Sequence, residues 1–314
     1  MTQGDQEQDG ELTPRVIVFA GPNGSGKSTI NQRVLKDPEM NFQGEYINAD
    51  DIAKGLEAQI PDPLTRNIKA AELAEQRREA AIKDGRPFAF ETVMSTPEKV
   101  GIMTQAKAKG YDVTLVFVTT SDPELNVARV ANRVALKGHP VEPETVRRRY
   151  DSAMALLPCA VEHADAALVV DNSGTQPIDV ALKADGQLQQ LATNPPAWVA
   201  EKLVKPYHER EVSRGKIEKA FETQCAGGNA SLPAVLTDAD ASNGKTYRGK
   251  IIEVTAQHAL QQTGANKFVV HDRTLSASQA LEKGKQATIG YAYDKGKIVA
   301  PALDKGTPSK NIGR

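Results

Sequence analysis

The residues Gly21-Pro22-Asn23-Gly24-Ser25-Gly26-Lys27-Ser28-Thr29 carry the most specific chemistry in this 314-residue chain. They fit the pattern G-x-x-x-x-G-K-[ST], whose glycines let the backbone curl until successive N–H groups face the α- and β-phosphates of a nucleotide. The N-terminus of a following helix adds partial positive charge, and Lys27 has the length to reach the β- and γ-phosphates. Ser28 is the expected Mg²⁺ ligand, with Thr29 just behind it. The flanking sequence has the form this motif needs. Arg15 to Ala20 is an apolar, β-branched run suited to a buried parallel strand, and Ser28 to Leu35 reads as a helix. The chemistry in prospect is work on the terminal phosphate of a nucleotide.

In an open α/β sheet, ligands bind beyond the carboxyl ends of the strands, so polar residues just past each strand are the next candidates. Asn48-Ala49-Asp50 follows a second short strand and Glu91-Thr92 a third. Asp50 could accept a proton from an acceptor hydroxyl as its oxygen attacks the γ-phosphate, while Glu91 and Thr92 hold the acceptor by hydrogen bonds. Asp50 could equally cap a helix over Asp51 to Leu56, and the two roles can coexist. Phosphoryl transfer also needs cations around the developing charge. Arg129 and Arg133 are four apart and share a helix face, and Arg147, Arg148 and Arg149 follow on a second helix. Successive helical side chains diverge by about 100°, so at most one or two of these three can face the phosphates. The cluster reads as an arginine-rich lid around Lys137 to Glu142, with His139 structural in its turn.

Positioning these groups requires an alternation of strands and helices. Strand-like runs at Arg15 to Ala20, Tyr46 to Ile47, Pro87 to Phe90, Val113 to Thr119 and Ala166 to Val170 predict a parallel sheet wrapped by helices. Thr65 to Lys83 reads as an amphipathic helix stopped by Gly85. Asp122-Pro123 starts another that runs to Leu136, and a third opens near Pro143. Beyond Asn172 the pattern weakens. Trp198 to His208 is expected to close the domain as a helix with Trp198 as a packing residue, and a further helix to cover Val212 to Gln224. Gly249 to Thr255, Phe268 to His271 and Ala287 to Tyr293 are β-type runs between turn residues, predicting a small antiparallel module. The expected organisation is therefore a tail over 1–12, a P-loop kinase-like domain over 13–205, a helix and linker over 206–244, a β-domain over 245–302 and a tail over 303–314.

Composition narrows the partners. With 39 basic and 40 acidic residues the net charge is −1, so no global field points to nucleic acid or to a membrane surface. Cys159 and Cys225 support no disulfide framework and lack metal-ligand spacing, which suits a reducing cytoplasm. Met1 to Glu11 is acidic and amide-rich, and reads as neither a signal peptide nor a membrane span.

With these residues assembled, the first two thirds of the chain resembles the zeta toxin family of P-loop kinases. The resemblance rests on Gly21 to Thr29, Ile47-Asn-Ala-Asp50, Phe90-Glu-Thr92, Arg133 with the Gly138-His139 turn, Arg147-Arg-Arg-Tyr150 and Asp171-Asn-Ser173. It implies ATP- or GTP-dependent phosphorylation of a nucleotide-sugar hydroxyl, typically the 3′-hydroxyl of UDP-N-acetylglucosamine, by the toxin of a toxin–antitoxin pair with a cognate antitoxin. On that resemblance Lys27 and Ser28 bind nucleotide phosphate and Mg²⁺, and Asp50 is the base. Asn48, Glu91 and Thr92 lie against the sugar nucleotide, and Arg133 with Arg147 or Arg148 stabilises the transition state. Lys137-Gly138 stands where relatives often have a glycine pair. Tyr247 to Ile298 resembles the KfrB-type domain of plasmid-borne proteins through Gly249-Lys-Ile-Ile, His258, Gln261-Gln262, Val270-His271-Asp-Arg273, Leu275 and Ile289 to Tyr293. That resemblance implies a mobile-element setting and structural histidines. Two other readings of the residues stay open: a kinase of another small hydroxyl compound, and a nucleotide-dependent binding protein in which hydrolysis is a switch.

Overall fold

The structure, a computed structural model, describes residues 13–38, 40–135, 140–226, 233–276, 280–294 and 297–299. The expected Lys137-Gly138-His139 turn and both expected tails lie outside them.

Seven strands form the first sheet in the order β2-β3-β1-β4-β5-β6-β7. β1 (Arg15–Ala20), β2 (Glu45–Ile47), β3 (Phe88–Thr92), β4 (Asp112–Thr119) and β5 (Ala166–Asp171) run parallel. The switch in strand order between β1 and its two neighbours opens a crevice at their carboxyl ends, where the loops after β1, β2 and β3 meet. The inner strands β1, β3 and β4 are largely buried and carry near-continuous apolar runs, as strands covered on both faces do, whereas the edge strand β2 buries only Ile47. The helices are α1 (Lys27–Leu35), α2 (Ala49–Gly55), α3 (Pro63–Asp84), α4 (Pro97–Ala108), α5 (Pro123–Ala135) and α6 (Pro143–His163). Asp62 caps α3 by accepting from the Thr65 amide, and Gly85 ends it in a left-handed conformation.

Sequence alone left β6 (Ile178–Ala184), β7 (Gln187–Gln190) and α4 unassigned. β6 pairs antiparallel with β5 and β7 with β6; polar Asp179 and Lys183 interrupt the apolar residues of β6, and β7 is three glutamines and a leucine, so no continuous apolar run announces them. A lysine in β6 does unexpected work. Lys183 is buried and donates to the Val161, Glu162 and Ala164 carbonyls, satisfying acceptors that the end of α6 leaves open. The two helices expected over 198–208 and 212–224 are one continuous stretch, a π-helical turn at Val199–Val204 running into α7 (Lys205–Ala226).

A second sheet follows in the order β12-β9-β10-β11-β8. It comprises β8 (Val235–Asp238), β9 (Thr246–Val254), β10 (His258–Gly264), β11 (Lys267–Asp272) and β12 (Gln286–Gly290). Its ladders are antiparallel except for β8, which pairs parallel with β11. A short hairpin of β13 (Tyr293–Asp294) and β14 (Lys297–Ile298) lies against α4.

The module is fastened to the helices by buried charge. Arg210 of α7 bonds both Glu162 of α6 and Asp272 of β11. His163 Nε2 is 2.9 Å from Asp272, His258 Nε2 is 2.8 Å from Glu162, and Cys159 donates to Asp272. Cys159, His163 and Asp272 thus bring ligating atoms together, as do Glu162, His258 and Asp272, although Cys159 gave no such signal in sequence. The guanidinium of Arg210 already supplies the cation there. His271 is structural, bonded to Tyr291 and Gln261.

Candidate active site

The loop that leaves β1 at Gly21 lies against β4 and α5 so closely that side chains do not fit. A Cβ on Gly21 would stand 1.9 Å from the Val118 carbonyl oxygen, and one on Gly24 2.6 Å from that of Asn126; both residues have positive φ. Two asparagines hold the loop in place. Asn126 Nδ2 donates to the Asn23 carbonyl (2.6 Å) and Asn172 Nδ2 to that of Ser25 (2.8 Å). Asn172 follows β5, whose last residue Asp171 accepts from the Trp198 indole at 2.7 Å. Trp198 therefore does more than pack: it anchors the strand end from which the loop is pinned.

Lys27 is buried and donates to the carbonyls of Gly21 (2.8 Å) and Pro22 (2.9 Å), with a Glu91 oxygen at 3.9 Å. Burial pulls its amine down to about 8, against an upward pull from Glu91. The unfolded chain therefore binds more protons than the folded one between about pH 8 and the ordinary lysine value, and stability rises with pH across that window. Below it the cost of burying the charged amine is fully present. Lys27→Met is accordingly expected to abolish nucleotide binding while leaving the melting temperature of the ligand-free protein at pH 7 unchanged or higher. A clear drop in that melting temperature would contradict this account.

Glu91 is the centre of a polar network. Ser28 Oγ lies 3.2 Å from one of its oxygens, Asn31 Nδ2 3.1 Å and Tyr46 Oη 3.3 Å. Asn31 and Asn48 both donate to the Tyr46 oxygen, at 2.6 and 2.9 Å. Asn31 and Tyr46 were missed in the sequence, although Tyr46 is two residues from Asn48 and so shares its face of the strand. Asn48, not Asp50, caps α2, its Oδ1 accepting from the Asp50 amide at 2.8 Å. The Asp50 side chain is thereby released from the capping role.

These groups converge on one cleft of about 710 Å³, lined by Gly24, Gly26, Lys27, Ser28, Thr29, Asn48, Asp50, Glu91, Thr92, Arg129, Arg133 and Arg149 among others. The arginines need one correction. Arg147 is bound to Glu124 through two nitrogens (2.6 and 2.9 Å) and to Glu144 (2.6 Å), and Arg148 is exposed. Neither lines the cleft. Arg149 does, with Nη1 3.2 Å from Asn23 Oδ1. Arg129, also on the wall, buries an Nη1 that has no hydrogen-bond partner among the described residues, an arrangement that suits an incoming oxyanion.

The zeta toxin family model matches residues 2–180, more than half of the chain. The chain belongs to the zeta toxin family. A KfrB domain model matches residues 246–300, which covers β9 to β14. An uncharacterized protein of Haemophilus influenzae is 31% identical over 136 residues, spanning 43% of this zeta-type chain and 92% of that protein. Among solved structures, the PezAT chromosomal toxin–antitoxin system of Streptococcus pneumoniae matches at 20% identity with a TM-score of 0.40. That match covers 53% of this chain and 71% of the other. The AvrRxo1-ORF1:-ORF2 structure with ATP matches at 13% identity and a TM-score of 0.48, covering 61% of this chain and 63% of that one. No helix among the described residues is long and apolar enough to cross a membrane.

The zeta-type cleft thus joins a nucleotide-phosphate loop to a wall of carboxylates and a hydroxyl from the start of α2 and the end of β3. A P-loop kinase has use for both halves, one for the phosphate donor and one for the acceptor.

Proposed function

We propose that the chain transfers the γ-phosphate of ATP to a hydroxyl of UDP-N-acetylglucosamine, and that it acts as the toxin of a pair whose antitoxin blocks the cleft. The observation that carries the reading is the single cleft in which Asp50, Glu91 and Thr92 face Lys27 and Ser28. A nucleotide switch has no need of such an acceptor wall.

Within the cleft the backbone amides of Gly24 to Ser28 and the Lys27 amine bind the β- and γ-phosphates, which replace the Gly21 and Pro22 carbonyls as partners of that amine. Asp50 accepts the acceptor's hydroxyl proton. Thr92 and the polar edge around Glu91 orient the sugar. Arg129, Arg133 and Arg149 surround the transferred group with positive charge, most useful where charge spreads in the transition state. The Ser28 hydroxyl and the adjacent Glu91 carboxylate form an all-oxygen set that suits a hard cation such as Mg²⁺. Held by Ser28 and Glu91, such an ion would supply positive charge to the phosphates.

Incubation of the full chain with γ-labelled ATP, Mg²⁺ and UDP-N-acetylglucosamine is expected to label the sugar nucleotide. ATP bound with full affinity but no label on any sugar nucleotide, over a panel of these compounds, would sink the proposed acceptor.

A further inference from the structure

A second cavity, of about 420 Å³, opens beside the phosphate cleft and shares Thr92, Val93 and Arg149 with it. Its remaining wall comes from two places. Met94 to Thr96, Glu98 and Lys99 belong to the turn after β3 and the start of α4, and Tyr293 belongs to the C-terminal module. We propose that the C-terminal module is a working part of the acceptor site, with Tyr293 closing a polar cavity that takes the distal, diphosphate-bearing portion of a nucleotide-linked acceptor.

Three observations support the assignment. First, the chemistry of the wall suits a phosphate ester: Lys99 and Arg149 bring positive charge, and Ser95 and Thr96 bring hydroxyl donors. Lys99 has a Glu98 oxygen at 3.5 Å, but both side chains are part-exposed neighbours whose pairing is worth little against an incoming phosphate. Second, the turn is held in a costly shape. Met94 is fully buried with φ +52°, and its amide donates to Thr92 Oγ1 at 3.1 Å. A non-glycine residue in that region persists only where its surroundings impose it, and such strain concentrates at ligand sites. Third, Tyr293 is fixed in place from its own module. Its hydroxyl lies between the Ala241 and Leu275 carbonyl oxygens (3.1 and 2.9 Å), to which its one proton can donate, and its amide donates to Asn243 Oδ1 at 3.0 Å. With the hydroxyl so engaged, the ring is what remains for the cavity, a flat surface suited to a base or sugar face.

Arg149 lies on the wall of both cavities and bonds Asn23 in the phosphate loop, so one side chain can sense the donor phosphate and the acceptor phosphate together. The inference rests on the proposed reaction for its choice of acceptor. The test separates the two.

UDP is titrated into the full chain saturated with a non-hydrolysable ATP analogue, for the parent, Lys99→Ala and Tyr293→Leu. Saturation removes the nucleotide site as an alternative home for UDP. Both variants are expected to weaken UDP by about tenfold, the effect of losing one charged contact or one packed ring, with affinity for the ATP analogue unchanged. Lys99 is part-exposed, so its variant carries the test even where Tyr293→Leu unsettles the hairpin. Absence of UDP binding by the parent, or a UDP affinity equal to the parent's in either Lys99→Ala or Tyr293→Leu, would overturn the proposal. UDP binding that the variants weaken, in a protein that transfers no phosphate to UDP-N-acetylglucosamine, would uphold the cavity and reject the reaction. Transfer whose KM for the acceptor is the same in parent and variants would do the reverse.

Discussion

Replacing Asp50 by Asn is expected to lower kcat for phosphate transfer by about 10²–10⁴-fold, the range for loss of a positioned general base, with ATP affinity nearly unchanged. The geometry supports a split of this kind. Asn48 supplies the cap of α2, so the Asp50 carboxylate holds up no helix end, and its loss should leave the fold intact. It lines the same cleft as the phosphate loop, and its amide, not its carboxylate, bonds Asn48. Glu91 is different: it contacts Ser28 and Asn31, so Glu91→Gln should disturb nucleotide and metal binding as well as turnover. Steady-state kinetics with both substrates varied distinguishes the two. Retained activity in Asp50→Asn beside a loss confined to kcat in Glu91→Gln would move the base from Asp50 to Glu91.

What the sequence disclosed and what it withheld divide along the range of the interactions. The strand, phosphate loop and helix from Arg15 to Leu35 were legible because each piece is specified by its own neighbours. The asparagine pins were not, since Asn126 and Asn172 act on a loop more than a hundred residues away in sequence. The arginines are an intermediate case. In α6 the buried stripe is Val146, Tyr150, Ala153 and Leu157. At about 100° per residue, Arg148 points opposite that stripe, while Arg147 and Arg149 flank it on either side. Periodicity therefore excludes Arg148 and leaves the other two. Choosing between them takes the packing of α6 on the sheet, which turns the Arg147 flank toward Glu124 of α5 and the Arg149 flank toward the cleft. The β-module shows the same limit, because its β-type runs are local but Tyr293's place on the wall of a cavity next to the candidate active site is a property of the assembled chain.

The largest expected loss of stability comes from Arg210→Ala. Arg210 is buried and bonds Glu162 and Asp272, which lie on α6 and on the C-terminal sheet, so it joins the two halves of the molecule. Truncating it strands buried carboxylate charge, a change that costs about 3–5 kcal/mol in comparable sites. In urea, the variant's C-terminal sheet should detach well before the parent's does. The pH dependence gives an independent check. In the parent, burial alone would raise the Glu162 carboxyl, but its His258 hydrogen bond and the Arg210 charge prevail and hold it at about 2. Asp272 is likewise held well below the usual carboxylate range, burial being outweighed by Arg210 and His163. Folded values below the unfolded ones mean that this stability is present above about pH 4.5 and is lost as the pH falls toward the folded values. Without Arg210 the desolvation of Asp272 is less opposed, and its carboxyl moves up. Acid should then cost the variant less than it costs the parent, so the gap between them narrows from pH 7 to pH 4. A gap that stays constant over that range would mean that Arg210 holds the module by packing alone. Removing Asp272 as well, in Arg210→Met with Asp272→Leu, should recover part of the loss, because one of the two stranded carboxylates goes while Glu162 keeps His258.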